Sequence, residues 1–208
     1  MTTAFWICIF LVFYTYIGYG IVLYLLVKLK RIVRPEKRDS KTETELPHVT
    51  LMICAYNEED IVDKKMENTN ALDYPKEKLH VLWVTDGSND LTNQRLAKYD
   101  NVTVAFKPER KGKTAALNHG IKEVKTDIVA MTDANTMLND QAMKVIVAEM
   151  KNPKVGCVAG EKRVMARDDK QSAAEGEGLY WKYESCLKRL DSELHSAMGA
   201  AGELCAIR

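Results

Sequence analysis

The most informative segment of the chain reads IVAMTDANT, at residues 128–136. Its four leading apolar residues predict a short buried strand, and Asp133 and Asn135 stand at the end of that strand. Side chains two residues apart in extended backbone lie on one face, so we expect both oxygen-bearing groups to point the same way. Ligand crevices of open α/β sheets form at the carboxyl ends of strands. The segment therefore favours a site for a metal ion and a diphosphate, although a strand-end turn capped by Asp and Asn would read the same.

The same alternation of apolar runs and polar segments continues on both sides of this stretch. The apolar runs predict strands at residues 48–55, 79–84, 102–106, 128–131 and 155–160. Helices are predicted between them, including an amphipathic one at 140–150, and a further helix carries leucines at helical spacing up to Leu194. Alternating strands and helices are typical of βαβ units. The fold class is therefore α/β, with a Rossmann-like, mostly parallel sheet flanked by helices.

Composition excludes several classes of protein. The chain has 208 residues, of which 30 are basic and 29 acidic, which suits one globular domain with a small appendage. A net charge of +1 gives no electrostatic reason to expect nucleic-acid binding. Five cysteines are scattered without a CxxC pair, and the four histidines do not cluster with them. We therefore expect a reducing compartment, with no disulfide framework and no zinc site.

The amino-terminal segment predicts a membrane anchor. Residues 4–27 contain no charged side chain, and this length exceeds the roughly 20 residues that cross a bilayer core. A signal peptide would begin with basic residues and have a shorter apolar region. Basic residues follow directly from Lys28, so the positive-inside rule places the rest of the chain in the cytoplasm. We expect a transmembrane helix at 4–27 in the plasma (or inner) membrane, a basic juxtamembrane linker at 28–46 and a cytoplasmic domain at 47–208.

Polar groups stand at four of the predicted strand ends. They are Tyr56-Asn57-Glu58, Asp86, the basic segment 107–113, and Asp133 with Asn135. The carboxyl ends of parallel strands lie along one edge of a sheet, so these groups are expected to converge. Lys113, directly before a predicted helix, can serve as a point charge for a phosphate. The sequence contains no GxGxxG, GxxxxGK[ST] or GxSxG motif, which argues against dinucleotide, P-loop and α/β-hydrolase chemistry.

Four motifs in this order and spacing make the chain resemble the inverting glycosyltransferases of family 2, which have the GT-A fold. The motifs are VTLMICAYNEE at 49–59, VTDGSND at 84–90, GKTAALN at 112–118 and DAN at 133–135. The resemblance runs from residue 47 to the end and is strongest to the membrane-bound, polysaccharide-synthesising members. Two positions depart from the family pattern. Cys54 replaces the usual proline, and Asn135 replaces the second aspartate of the DxD motif, which gives the metal a less strongly charged ligand.

The resemblance implies a role for each motif. The implied nucleotide-binding residues are Ala55, Tyr56, Glu58, Asp86, Lys113 and Asp133. Within this set Asp86 would accept a hydrogen bond from the uracil ring N–H, and Asp133 would also meet the metal. Asn135 would take the second metal-ligand position, and Gly202 would lie on the acceptor side. Oxygen ligands suit Mg²⁺ or Mn²⁺, which needs only one or two protein carboxylates when a diphosphate supplies the remaining oxygens.

The expected function is transfer of a sugar from a UDP-sugar donor to a growing cell-surface polysaccharide or glycolipid. The family's general base lies beyond the segment that resembles residues 199–208, so we expect the chain to be a fragment that binds donor but transfers poorly. Two alternatives stay open on the sequence. One is transfer to a polyprenyl phosphate, and the other is a non-catalytic, membrane-tethered nucleotide-binding module. A soluble nucleotidyltransferase is disfavoured by the apolar segment and by the lack of a glycine-rich nucleotide loop.

Overall fold

The computed structural model describes residues 2–34, 45–162, 171–197, 199 and 202–208. The chain divides into two compact units. One unit consists of Met1–Glu43 with Glu161–Gly199, and the other of Thr44–Gly160 with Ala200–Arg208. The chain therefore leaves the second unit after residue 160 and returns to it for its last nine residues.

The second unit is built on a six-stranded sheet. Its strands are β1 (Val49–Ala55), β2 (Leu79–Asp86), β3 (Val102–Lys107), β4 (Ile128–Asp133), β5 (Cys157–Ala159) and β6 (Leu204–Ile207). The order across the sheet is β3-β2-β1-β4-β6-β5. The pairs β3–β2, β2–β1 and β1–β4 are parallel, whereas β6 is antiparallel to both of its neighbours. The predicted α/β fold with a mostly parallel sheet is confirmed.

The sixth strand was not predicted. Residues 204–207 form a short apolar run near the end of the chain, and only the pairing partner shows that this run is a strand. It inserts between β4 and β5, with Ala206 opposite Ala130 and fully buried. The fifth strand is also shorter than the predicted 155–160, and β6 separates it from β4. It runs in the same direction as β4, because two antiparallel pairings in succession restore the direction.

Helices cover both faces of the sheet. They are α3 (Val62–Asn70), α4 (Thr92–Leu96), α5 (Lys113–Gly120) and α6 (Ala142–Met150), with short 3₁₀ turns at Lys76–Lys78 and Ile121–Glu123. On one face Leu51, Ile53 and Trp83 form a core with residues of α3 and α6. On the other face Met52, Leu82, Val84 and Ala116 form a smaller core. Burial on both faces explains why the strands read as continuous apolar runs.

The first unit begins with a long apolar helix. It consists of α1 (Thr2–Phe13), a π-helical segment (Tyr14–Gly18) and α2 (Tyr19–Val33). Its most apolar window of 18 residues has a mean hydropathy of 2.0, and the 32-residue helix is long and apolar enough to cross a membrane. The helix continues past the predicted end at residue 27, so the first basic residues are helical. Residues 35–44 of the predicted linker lie outside the described part of the chain.

The helix α7 (Gln171–Leu194) packs along α2 within this unit. Leu190 forms a small buried cluster with Leu23 and Val27. Around this cluster the Tyr19 hydroxyl donates to the Asp191 carboxylate at 2.5 Å, and Arg31 makes a two-point ion pair with Glu193. The Tyr183 hydroxyl donates to the Tyr16 carbonyl near the start of the paired region and Arg31 pairs with Glu193 near its end, so the two helices run parallel. The predicted leucine-bearing helix is confirmed as one that packs against a partner helix.

Candidate functional site

The loops after β1 and β2 hold each other through side-chain hydrogen bonds. Asn57 has a left-handed backbone conformation, with φ of 51°, which asparagine adopts more readily than most residues. Its amide nitrogen donates to Asn89 Oδ1 at 2.8 Å, and its Oδ1 accepts from the Asn89 backbone N–H at 3.0 Å. The Asn57 backbone N–H also donates to Ser88 Oγ at 3.1 Å. This reciprocal pair joins the two strand ends without any ligand.

Acidic and hydroxyl side chains make further hydrogen bonds between the same two loops. The Glu58 backbone N–H donates to Thr92 Oγ1 at 2.9 Å, and the Glu59 backbone N–H donates to Asp90 at 3.1 Å. In return, the Leu91 backbone N–H donates to the Glu59 carboxylate at 2.8 Å. We call residues 57–59 together with residues 88–92 the clamped rim. The clamped rim fixes the positions from which Tyr56 and Glu58 leave the sheet.

Asp86, at the end of β2, organises the segment that follows β3. Only 6% of the residue is exposed, and its carboxylate accepts from the backbone N–H groups of Lys111 at 2.9 Å and Gly112 at 2.6 Å. Gly87 has φ of 71°, and a Cβ there would lie 2.6 Å from the Arg110 nitrogen, so only glycine permits this close approach. Asp86 thus anchors Lys107–Lys113, which we call the basic loop. A cavity of about 310 Å³ lies beside it, lined by Asp86, Lys107, Pro108, Glu109, Lys111, Ala115 and His119.

Side chains of the basic loop contact two other predicted site residues. The Arg110 guanidinium lies over the Tyr56 ring, 3.9 Å from its centroid. The Lys113 Nζ lies 2.6 Å from Asp133 Oδ1, and both side chains are partly exposed. A Cβ on Gly202 would lie 3.8 Å from the same Nζ, which places Gly202 beside the ion pair. The structure therefore brings Tyr56, Asp86, Lys113, Asp133 and Gly202 into one connected set of contacts.

The expected geometry of the DAN motif is wrong in one respect. The strand ends at Asp133, and residues 134–135 form a turn in which the Thr136 N–H donates to the Asp133 carbonyl at 3.2 Å. Extended spacing therefore does not relate Asp133 to Asn135. The physical reason is that Ala134, only 2% exposed, packs into the core and turns the chain. Asn135 is left exposed at the head of the turn.

The donor atoms at this turn fit a hard divalent cation. A carboxylate and an amide oxygen are the ligand types that Mg²⁺ and Mn²⁺ accept, and the Asp133 carboxylate already faces a cationic ammonium group. Among the residues that the structure describes, no group of three or more His, Cys, Asp or Glu side chains could hold a metal. A metal at Asp133 would therefore need most of its ligands from a diphosphate and water.

Burial and the Asp133 charge shift two neighbouring acids. Burial raises the pKa of the Glu58 carboxyl, and the negative charges of Asp133 and Asp90 raise it further. Burial raises the pKa of the Cys54 thiol to about 11, again with a contribution from Asp133. Cys54 is therefore an uncharged thiol at the strand exit where the family has proline. The negative charge of Asp133 therefore adds to burial in disfavouring the charged forms of both neighbouring groups.

One residue close to this site was missed from the sequence. Lys65 of α3 is fully buried, and its ammonium group donates to the carbonyl of Thr136. Burial lowers the pKa of Lys65 to about 8, against the attraction of Asp133. The helical spacing held a usable signal, because Val62, Met66 and Thr69 define the inner face of α3 and position 65 falls on it. A lysine on a buried helix face is unusual enough to mark for function.

The sheet topology and the helices on both of its faces define an α/β protein of the GT-A type. The sequence model described as glycosyl transferase family 2 matches residues 50–207. The chain belongs to this family, and the predicted family membership is confirmed.

Two curated relatives show what the chain resembles. It is 34% identical over 125 residues to the poly-β-1,6-N-acetyl-D-glucosamine synthase of Staphylococcus aureus (strain MSSA476), which covers 58% of this chain and 30% of the relative. It is 35% identical over 129 residues to the probable glycosyltransferase YdaM of Bacillus subtilis (strain 168), covering 58% and 31%. The chain thus matches about a third of the length of these relatives.

Solved structures agree on the fold. The mannosyltransferase PcManGT from Pyrobaculum calidifontis, in complex with GDP-Man and Mn²⁺, superposes with a TM-score of 0.71 at 25% identity, covering 93% of this chain and 53% of that protein. S. aureus TarS 1–349 in complex with UDP-GlcNAc superposes with a TM-score of 0.53 at 23% identity, covering 60% and 37%. The TarS likeness supports the fold alone.

Proposed function

We propose that the chain is the donor-binding part of a membrane-anchored, inverting glycosyltransferase that uses a UDP-sugar. The observation that carries this proposal is the contact between Lys113 and Asp133, 2.6 Å apart at the end of β4. A diphosphate needs a cation close to it, and a divalent metal needs an anionic ligand. This pair provides one group of each kind at the strand-end edge where α/β proteins bind nucleotides.

The nucleoside would lie against the loops after β1 and β2. Ala55, Tyr56 and Glu58 would line its pocket, at an edge that the clamped rim holds in place without ligand. Asp86 Oδ2 accepts from the backbone N–H groups of Lys111 and Gly112, whereas Oδ1 accepts only from Lys111, at 3.1 Å, and has a further lone pair. A ring N–H of uracil could donate to this Oδ1. This acceptor supports a uracil-type base.

The diphosphate would lie between Lys113 and a metal held by Asp133 and Asn135. A bound Mg²⁺ or Mn²⁺ would neutralise charge on the departing diphosphate. Lys113 can serve the same anion directly, since its ammonium is partly exposed and at the first residue of α5. The PcManGT complex with GDP-Man and Mn²⁺ supports a divalent metal in this fold.

The acceptor would approach past Gly202, where a side chain would come within 3.8 Å of Lys113. Relatives that synthesise poly-β-1,6-N-acetyl-D-glucosamine support a polysaccharide or glycolipid acceptor. The apolar helix that begins at Thr2 would anchor the protein in the plasma membrane, and the basic residues after position 27 favour a cytoplasmic sheet unit. In this proposal residues 4–27 span the membrane and residues 47–208 form the donor-binding domain. Residues 28–46 link the span to this domain.

Nucleotide titrations test the proposal on the full 208-residue chain in detergent micelles. By calorimetry we expect UDP to bind much more tightly with Mn²⁺ or Mg²⁺ than without a metal, and GDP to bind more weakly than UDP. Asp133→Ala removes the carboxylate of the metal site and should weaken metal-dependent UDP binding by about 100-fold or more, or roughly 3 kcal/mol. Asp127→Ala, at an exposed residue just before the same strand, is the matched control and should bind normally. If Asp133→Ala binds UDP with the metal as tightly as the wild type, the DAN segment is a turn without a role in metal binding.

A further inference from the structure

Helix α3 holds the segment that follows β4 through two side chains. Lys65 donates to the Thr136 carbonyl, and Asn68 makes a reciprocal pair with Leu138. In that pair the Asn68 amide nitrogen donates to the Leu138 carbonyl at 2.8 Å, and the Leu138 N–H donates to Asn68 Oδ1 at 2.8 Å. All three bonds fall within three residues of the DAN motif. The turn that carries Asp133 and Asn135 is therefore followed by a backbone segment fixed to the core.

The charge on Lys65 has no evident value for stability. The residue is fully buried between apolar side chains of the α3 inner face, and its burial disfavours the ammonium form. A methionine has a similar length and would fill the same space without burying a charge. Asn68 alone would still tie the loop to α3. The buried cation is therefore better explained by what it does at the neighbouring turn.

Two effects of Lys65 reach Asp133. The first is geometric, because Lys65 holds the carbonyl of Thr136, while the N–H of Thr136 donates to the Asp133 carbonyl and closes the turn. The second is electrostatic, because the buried ammonium attracts the Asp133 carboxylate. Both effects hold the carboxylate in place. Neither requires Lys65 to touch the donor.

We propose that Lys65 is a positioning residue which, through Thr136, holds the Asp133–Thr136 turn in the geometry that binds the metal and the diphosphate of the donor. The proposal rests on the proposed function, since it concerns the same site. It assigns a role to a residue outside the four family motifs. It also explains why a lysine occupies a buried position on α3, whereas its neighbour Lys64 is exposed.

The test compares Lys65→Met with Lys64→Met in the full chain in detergent micelles. UDP affinity is measured by calorimetry with and without Mn²⁺, Mn²⁺ affinity is measured by electron paramagnetic resonance, and folding is followed by the melting temperature. We expect Lys65→Met to keep or raise the melting temperature, to leave metal-free UDP binding within 2-fold, and to weaken Mn²⁺-dependent UDP binding by about 10-fold. Lys64→Met should match the wild type in every measurement. A purely structural role would lower the melting temperature and both UDP affinities together.

Each remaining outcome decides the matter. If Lys65→Met folds and binds UDP with Mn²⁺ like the wild type, the role of Lys65 is overturned and the proposed function stands. If the wild type itself shows no metal-dependent UDP binding, the proposed function fails, and the role of Lys65 fails with it. If Lys65→Met does not fold, Lys65→Gln replaces it, with Lys64→Gln as the control. Glutamine keeps a hydrogen-bond donor while it removes the charge, and we expect it to lose 3- to 10-fold in Mn²⁺-dependent binding.

Discussion

The clamped rim and the basic loop lie along the same edge of the sheet, but their side chains make different contacts. In the clamped rim, amides, hydroxyls and carboxylates bond to backbone N–H groups and to each other, as in the reciprocal pair of Asn57 and Asn89. In the basic loop, two cationic side chains contact residues that we propose bind the donor. Arg110 covers Tyr56, and Lys113 pairs with Asp133. The polar groups of the clamped rim bond to one another. Arg110 and Lys113 of the basic loop instead contact residues that would bind the donor.

This difference sets what each region can do energetically. Hydrogen bonds such as those of the clamped rim contribute about 0.5–1.5 kcal/mol each to stability. A partly exposed ion pair such as that of Lys113 contributes about 0–1 kcal/mol. A metal and a diphosphate can therefore replace the contacts of the basic loop at small cost, while the clamped rim keeps its shape. Substitutions in the two regions should accordingly separate binding from stability.

Lys113→Met gives the largest expected separation. The variant should lose about 30-fold in UDP affinity in the presence of Mn²⁺, or roughly 2 kcal/mol, because the cation facing the diphosphate is gone. In the absence of nucleotide it should bind Mn²⁺ a few-fold more tightly, because Asp133 no longer has a competing ammonium. Calorimetry measures the first effect and electron paramagnetic resonance the second.

Lys122→Met, in the exposed turn after α5, is the control for removal of a positive charge and should change neither affinity by more than 2-fold. The melting temperature of Lys113→Met should stay near that of the wild type. The comparison breaks if Lys113→Met weakens Mn²⁺ and UDP binding alike, since the lysine would then not compete with the metal.

Asn57→Gly tests the clamped rim, with a smaller effect that falls on stability. Glycine adopts the φ of 51° without strain, so the variant loses mainly the two side-chain bonds to Asn89. We expect the free energy of unfolding, measured by urea titration, to fall by about 1.5 kcal/mol. Asp100→Gly, in an exposed loop, measures what a glycine costs by itself. A loss no greater than that of the control would show that the reciprocal pair does not hold the rim.

The fold was largely predictable from the sequence because most of its determinants are local. The apolar runs of β1 to β4 and the amphipathic α6 are readable within one window of sequence, since a strand buried on both faces must be apolar throughout. β6 was not readable in this way. Its four residues, Leu204–Ile207, become a strand only through pairing with β4, some 75 residues earlier in the chain.

The candidate site divides along the same line. Parallel topology alone predicts that Tyr56, Asp86, Lys113 and Asp133 converge. In the structure Lys113 contacts Asp133, and the basic loop connects both to Tyr56 and Asp86. The turn at Ala134 did not follow, because it depends on how that side chain packs in three dimensions. Lys65 was missed because its partner is a backbone carbonyl, which leaves no mark in the sequence of the partner.

The lowered pKa of Lys65 makes the stability of the sheet unit depend on pH. Burial lowers its pKa to about 8 from the ordinary 10.5. Between these two values the folded state has released a proton that the unfolded state still binds, so stability rises with pH. Between pH 7.5 and pH 9, the stability of the wild type should rise by roughly 1 kcal/mol relative to Lys65→Met. Urea titrations at several pH values measure this difference in the free energy of unfolding, and Lys64→Met should follow the wild type. A difference that does not change with pH would show that Lys65 is in contact with water.

Asn135→Asp should produce the smallest effect, and it sharpens the account of the basic loop. The substitution restores the second carboxylate of the family motif at an exposed position of the turn, two residues after Asp133. A carboxylate binds a hard divalent cation more strongly than a carboxamide does, so Mn²⁺ affinity should rise about 2- to 5-fold, or less than roughly 1 kcal/mol.

Asn139→Asp adds the same charge at an exposed residue outside the turn and measures the long-range attraction alone. In 0.5 M NaCl the gain of Asn139→Asp should disappear, because its charge is screened, whereas most of the gain of Asn135→Asp should persist, because direct ligation is screened far less. Equal salt sensitivity of the two variants would show that residue 135 only adds charge near the metal and that Asp133 is its sole protein ligand in the motif.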